Sequence, residues 1–161
     1  GGDRGSPRGI GGLRMRKVAL SLMIILLAAA GCGSEGSKEI NGKKAEDIPV
    51  EWAIAMIQRD DAKRLDLLVQ STEALDPEKG PQNEEELDSY QLTEWKASED
   101  KFFYEIKFVD PVAESTPSRQ ERMEVVSTED GWKRTQFGNL KNFETLVEDI
   151  ESRTIKELHE E

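Results

Sequence analysis

The side chains able to do covalent or metal chemistry are few in this chain of 161 residues: one cysteine, Cys32, and one histidine, His159. A hydrolase needs a nucleophile with a base within reach, and His159 sits in a charged terminal run, ELHEE, where it is expected to be solvated. A zinc site needs three or four His, Cys or acidic ligands gathered together, and the sequence offers no such spacing. Glu84, Glu85, Glu86 and Asp88 form an acidic burst, but they lack the alternating ligands and central glycine of a calcium loop. Neither a catalytic residue, a metal ligand nor a cofactor is assigned. A single cysteine also excludes an internal disulfide, so the fold must rest on its core.

The chemistry expected of Cys32 is set by what precedes it. Arg16 and Lys17 give a basic start, Val18 to Leu27 an apolar run, and Ala28, Ala29, Ala30 and Gly31 a small-residue exit. That is the pattern of a secretory signal peptide. The apolar stretch from Val18 to Ala30 is 13 residues, short of the roughly 20 a spanning helix requires. Ala29, Ala30, Gly31 and Cys32 resemble the lipobox of bacterial lipoproteins, although relatives usually carry Leu where Ala29 stands. The resemblance implies cleavage between Gly31 and Cys32, a diacylglyceryl group on the Cys32 thiol, and anchoring at the extracytoplasmic face of the cell membrane. Two or three acyl chains hold persistently where one gives marginal binding.

Four segments follow from that reading. Residues 1–14 are Gly- and Arg-rich without apolar periodicity and are read as an upstream translation artefact; 15–31 are the signal peptide; 32–47 form a polar flexible tether; 48–161 form one α+β domain. Loss of residues 1–31 leaves 130 residues with 17 basic and 32 acidic side chains, a net charge of −15. Nucleic acid and anionic lipid both select for positive charge, so neither is an expected binding surface for the domain.

Within the domain, Asp47 and Pro49 mark a helix start, and Trp52, Ala53, Met56 and Ile57 share a face. Asp60 or Asp61 caps a second helix with Leu65, Leu68 and Val69 on its stripe and Leu67 alongside. Residues 76–89 carry two prolines and many acids and read as a surface loop. Tyr90 and Leu92 alternate, then Trp95 and Ala97 resume one residue out of phase, which predicts a bulge. Phe102, Tyr104, Ile106 and Phe108 line one face of the next strand, with Phe103, Glu105, Lys107 and Val109 on the other. A strand over 119–128 with Met123 and Val125 on one side, the turn Glu129-Asp130-Gly131, and a return over 132–137 complete an antiparallel meander. Leu140, Phe143, Val147, Ile150 and Thr154 are spaced 3, 4, 3, 4 and predict a C-terminal amphipathic helix from about Leu140 to Glu157.

The helix, acidic corner and second helix in EWAIAMIQRDDAKRLDLL (residues 51–68), followed by strands ending in EDGWKR (129–134), resemble the nuclear transport factor 2-like superfamily. Relatives usually place an aliphatic residue where Arg134 stands. The resemblance implies a cone-shaped α+β roll with a pocket at its wide end, lined here by Trp52, Trp95, Phe102, Tyr104 and Trp132. Isomerases of that superfamily pair a carboxylate base with a hydroxyl donor, which Tyr104 with Asp60 or Asp61 would imitate. The expected function is a noncatalytic envelope domain binding a partner protein or small molecule. The alternatives are a pocket-bearing enzyme or lipid binder, and an accessory subunit of a membrane transporter or sporulation complex. The sequence leaves the oligomeric state open.

Overall fold

A computed structural model describes residues 36–115 and 117–156. The segment read as a signal peptide, Cys32, and the tail with His159 lie outside them. Five antiparallel strands form one sheet in the order β4-β3-β2-β1-β5: β1 (Tyr90–Ser98), β2 (Lys101–Val109), β3 (Ser118–Thr128), β4 (Gly131–Arg134) and β5 (Ser152–Lys156). Helices α1 (Asp47–Gln58) and α2 (Asp61–Asp66) precede the sheet in sequence, and α3 (Phe143–Val147) lies between β4 and β5. The chain is α+β, as its patterning predicts.

In β2 the alternation reads through directly: Phe102, Tyr104, Ile106 and Phe108 are buried beneath the N-terminal helices with Met123 and Val125 of β3. Gly131, at φ 123°, takes the left-handed position of the β3–β4 turn. Helix α1 buries Ile48, Trp52, Ala53 and Ile57 in the same core. Its C-terminus is closed by a Schellman arrangement in which Asp60 N–H reaches the Ala55 carbonyl (2.9 Å) and Arg59 N–H the Met56 carbonyl (3.2 Å). The left-handed residue there is Arg59 (φ 57°) rather than glycine. Asp60 then caps α2, its Oδ1 accepting from Lys63 N–H at 3.1 Å.

Four expectations are corrected. First, the segment that reads as a tether is folded from Ser37 onward, and the compact unit spans Ser37–Glu161. Ile40 and Lys43 exchange two backbone hydrogen bonds across Asn41 (φ 53°) and Gly42 (φ 82°), and Ala45 is fully buried. Asn-Gly is the strongest short turn signal, and it pins the segment to the body.

Second, the described residues of 140–156 do not form the long C-terminal helix. Only Phe143–Val147 is helical, and Ser152–Lys156 pairs with β1, Thr93 opposite Thr154 and Glu94 opposite Arg153. The apolar spacing is satisfied as far as Val147; beyond it β-branched Thr154 and Ile155 favour the strand, and β1 gains a second partner.

Third, Trp95 does not shift phase. It stands opposite Phe103 on the face away from the N-terminal helices, and Glu94, not Trp95, takes the core position. Against β2 the irregularity falls between Lys96 and Ser98; against β5 the register does shift between Leu92 and Thr93, with Ile155 as the extra residue, so the bulge there leaves the phase of β1 unchanged. Fourth, Val69 leaves the α2 stripe. Leu67 and Leu68 are buried while Val69 is 48% exposed, because the chain turns into a bridge with β4: Arg134 N–H to the Leu67 carbonyl (2.7 Å) and Val69 N–H to the Arg134 carbonyl (2.8 Å).

Candidate functional site

The five aromatics expected around one pocket are not gathered there. Trp52, Phe102, Tyr104 and Trp132 belong to the main core; Phe102 stacks on Tyr104 (6.1 Å between centroids) and meets Trp132 edge-on (5.5 Å). Trp95 lies across the sheet, edge-on to Phe143 at 5.2 Å. Surface depressions occur on the β2–β3 ladder at Lys107, Val109, Ser118 and Gln120, beside residues 71–79, and over Lys43, Glu51 and Lys63. None of the three has one of these aromatics in its wall.

What the interior concentrates instead is charge. Glu94, 2% exposed, accepts from the Tyr104 hydroxyl at 2.6 Å and, on its other oxygen, from Arg153 Nε and a terminal nitrogen at 3.0 and 2.9 Å. Arg153 also lies 3.6 Å from Glu46. This knot ties β1, β2 and β5 together and links them to the residue preceding α1. Burial, reinforced by the Glu94 charge, pushes the Tyr104 phenol far above its ordinary range. The phenol faces a carboxylate already held by a guanidinium, and together they lock three strands.

Asp110, 1% exposed, forms a second knot. Its Oδ2 receives Arg59 at 2.9 Å and lies 3.6 Å from Arg119, while its Oδ1 accepts from Val112 N–H at 3.0 Å. Arg59 also donates to the Met56 carbonyl at 2.6 Å. The guanidinium therefore spans the end of α1 and the root of the β2–β3 hairpin, which accounts for a non-glycine residue in the left-handed position.

Arg134 is the third, with no exposed surface. It donates to Glu121 (2.9 Å) and to the Gln136 and Gly138 carbonyls (2.7 and 3.0 Å), with its guanidinium carbon 4.2 Å from the centre of the Trp52 ring. Arg64 approaches the same ring at 5.4 Å and Phe137 at 5.5 Å. Burial holds both guanidiniums below their ordinary basicity, with nearby carboxylates opposing it, chiefly Glu121 for Arg134 and Asp61 for Arg64. Trp52 Nε1 and Arg64 Nε are buried without a hydrogen-bond acceptor.

Asp60 and Asp61 do not join Tyr104. Asp60 caps α2, and Asp61 accepts from Asp76 N–H at 3.1 Å and lies 3.9 Å from Arg64. The carboxylate that does meet the phenol, Glu94, was marked in the sequence only by the broken alternation at Trp95. Arg134 was marked by its departure from the aliphatic residue of the resembled family; Asp110 and Arg153 carried no sequence signal.

Among the described residues, no cluster of three or more His, Cys, Asp or Glu side chains is arranged to hold a metal ion. No helix among them is long and apolar enough to cross a membrane. No family model, no curated protein and no solved structure matches the chain.

Proposed function

We propose that this chain is a bacterial cell-envelope lipoprotein, exported by the leader at 15–31, lipidated on Cys32, and displaying a noncatalytic domain that binds a partner protein or small molecule. The observation that carries the reading is the run from Met15 to Cys32: basic start, apolar stretch, small-residue exit, then the only thiol. Support for binding over catalysis comes from the interior. Glu94, Asp110 and Arg134 are each satisfied by opposite charges or backbone groups of the fold itself, so its buried polarity is committed to holding elements together. For the finer architecture we propose a nuclear transport factor 2-like roll, supported by the order of helix, acidic corner, helix and meander.

Metabolic labelling with a fatty acid tests the anchor. The wild-type chain is expected to take the label and to sediment with membranes, and Cys32→Ser to lose both. Unchanged membrane retention in the Cys32→Ser variant would refute the proposal.

A further inference from the structure

We infer that the domain stands on the lipid surface by one end of its sheet, the end formed by the β1–β2 and β3–β4 turns, with the β2–β3 hairpin held away from the membrane. This rests on lipidation at Cys32 as proposed above. The folded body begins at Ser37, five residues beyond Cys32, and five extended residues reach at most about 18 Å.

The segment entering the body is fastened to that end by three contacts. Lys38 Nζ pairs with Asp100 of the β1–β2 turn at 2.8 Å, and the Lys38 carbonyl accepts from Trp132 Nε1 at 2.9 Å. Asn41 donates to the Asp130 carbonyl in the β3–β4 turn at 3.0 Å. Asp100 in turn accepts from Ser127 at 2.9 Å, so the two turns are themselves joined.

The other end of the sheet is equally well defined. Asp110 N–H bonds the Pro117 carbonyl at 2.8 Å to close the β2–β3 hairpin, and Arg59 docks the end of α1 there. Gln82 N–H to the Gln58 carbonyl (2.7 Å) and Gln58 Nε2 to the Glu85 carbonyl (3.0 Å) bring the acidic loop to the same end. Nine residues of β2 separate the two ends, about 30 Å at the rise of a strand, which exceeds what five residues can reach.

Charge opposes tipping onto the side. The portion from Cys32 onward carries −15, and an anionic leaflet attracts basic rather than acidic surface. The near turns add Glu99, Asp100, Glu129 and Asp130, against Lys38 and Lys101. Contact with lipid is therefore held by the anchor alone, and the hairpin and the acidic loop face outward toward partners.

Energy transfer from single introduced thiols measures this directly, because the Cys32 sulfur is expected to be blocked as a thioether. The lipidated full chain, as Glu129→Cys or Glu114→Cys, is labelled with a donor and placed in phosphatidylcholine–phosphatidylglycerol vesicles bearing a headgroup acceptor. Glu99→Cys and Glu85→Cys form a second pair, so that a variant that fails to fold does not end the test. Transfer is expected to be severalfold stronger from 129 and 99 than from 114 and 85. Equal transfer from both ends, or the reverse order, would overturn the orientation while leaving the anchor intact. Donor incorporation into the wild-type chain at Cys32, with failure to float with vesicles, would remove the anchor and the orientation together.

Discussion

The two faces of the sheet are made by the same strands and are built in opposite ways. Beneath α1 and α2, sixteen buried apolar residues form one cluster, and Glu94, Asp110 and Arg134 are buried on the domain's interior. Among the described residues, the opposite face buries Phe103, Phe143 and Val147, with Trp95, Leu140 and Ile150 packed at their margin. Its charges stay in partial contact with water as pairs: Arg122 with Glu105 at 2.8 Å and with Glu144 at 3.3 Å, Lys101 with Glu124 at 3.2 Å. A charge can be carried inside only where enough neighbours supply opposite charge and hydrogen bonds. The thick face supplies them; the thin face leaves the work to solvent.

The sharpest way to break that contrast is to remove one large aromatic from each side. Trp52 has no exposed surface and is the ring on which Arg134 rests, so Trp52→Ala is expected to cost about 3–5 kcal/mol. Phe143 is also buried, but its cover is a helix of five residues. That helix can settle into the space left, and Phe143→Ala should cost roughly 2–3 kcal/mol, at or below the lower edge of the range for such truncations. Urea unfolding of the two variants checks this. A Phe143→Ala loss equal to that of Trp52→Ala would show that the faces bear equal weight.

A second test concerns the charge inside the thick face, and its effect is smaller. Tyr104 is an acid whose folded-state pKa is raised by burial and by Glu94. Below the unfolded phenol's value, about 10, both states hold the proton and the shift contributes nothing to pH dependence. Above it the unfolded chain releases a proton that the folded chain keeps, so stability falls as pH rises, by up to about 1.4 kcal/mol per pH unit. Unfolding measured from pH 9 to 11.5 should show this alkaline loss in the wild type and a shallower one in Tyr104→Phe. Phenolate absorbance from Tyr104 should appear only as the chain unfolds. An identical slope in both proteins would mean that the phenol is not sealed in.

Period-two patterning made the thick face legible, because apolar residues in β2 and β3 recur on one side without exception from Phe102 to Phe108 and at Met123 and Val125. The buried charges were illegible for the same reason: a rule that places apolar residues inside reads Glu94 as outward, and it moves the phase of Trp95 to compensate. The partner that makes Glu94 tolerable, Arg153, is 59 residues away, and no local window contains both. Residues 140–157 failed differently. Phe143 and Val147 take the helix their spacing predicts, but Thr154 and Ile155 fit helix and strand environments alike, and what decides for them is the free edge of β1, a tertiary demand. At the N-terminus the signal was present, since Asn41-Gly42 marks a turn, but its polar surroundings read as tether. Four of the five aromatics share the main core, and Trp95 sits on the other face, a division that the phase of β1 decides.

The smallest expected effect lies on the thin face and asks whether its charges matter at all. Lys101 and Glu124 pair at 3.2 Å, with the lysine side chain 48% exposed and the glutamate 21%. Water screens such a pair, and holding two long side chains together costs entropy, so exposed pairs contribute about 0–1 kcal/mol. Glu124→Gln should therefore change stability by less than about 0.5 kcal/mol, and added salt should shrink the difference further. The contrast with Tyr104 is in the solvent: both residues belong to the β2–β3 ladder, but one meets its partner in a dry interior and the other at a wet surface. A Glu124→Gln loss that exceeds about 1 kcal/mol and persists in high salt would be outside the range of an exposed pair. It would place a buried, solvent-excluded interaction on the thin face, and α3 would then have to be a far more effective lid than three buried side chains suggest.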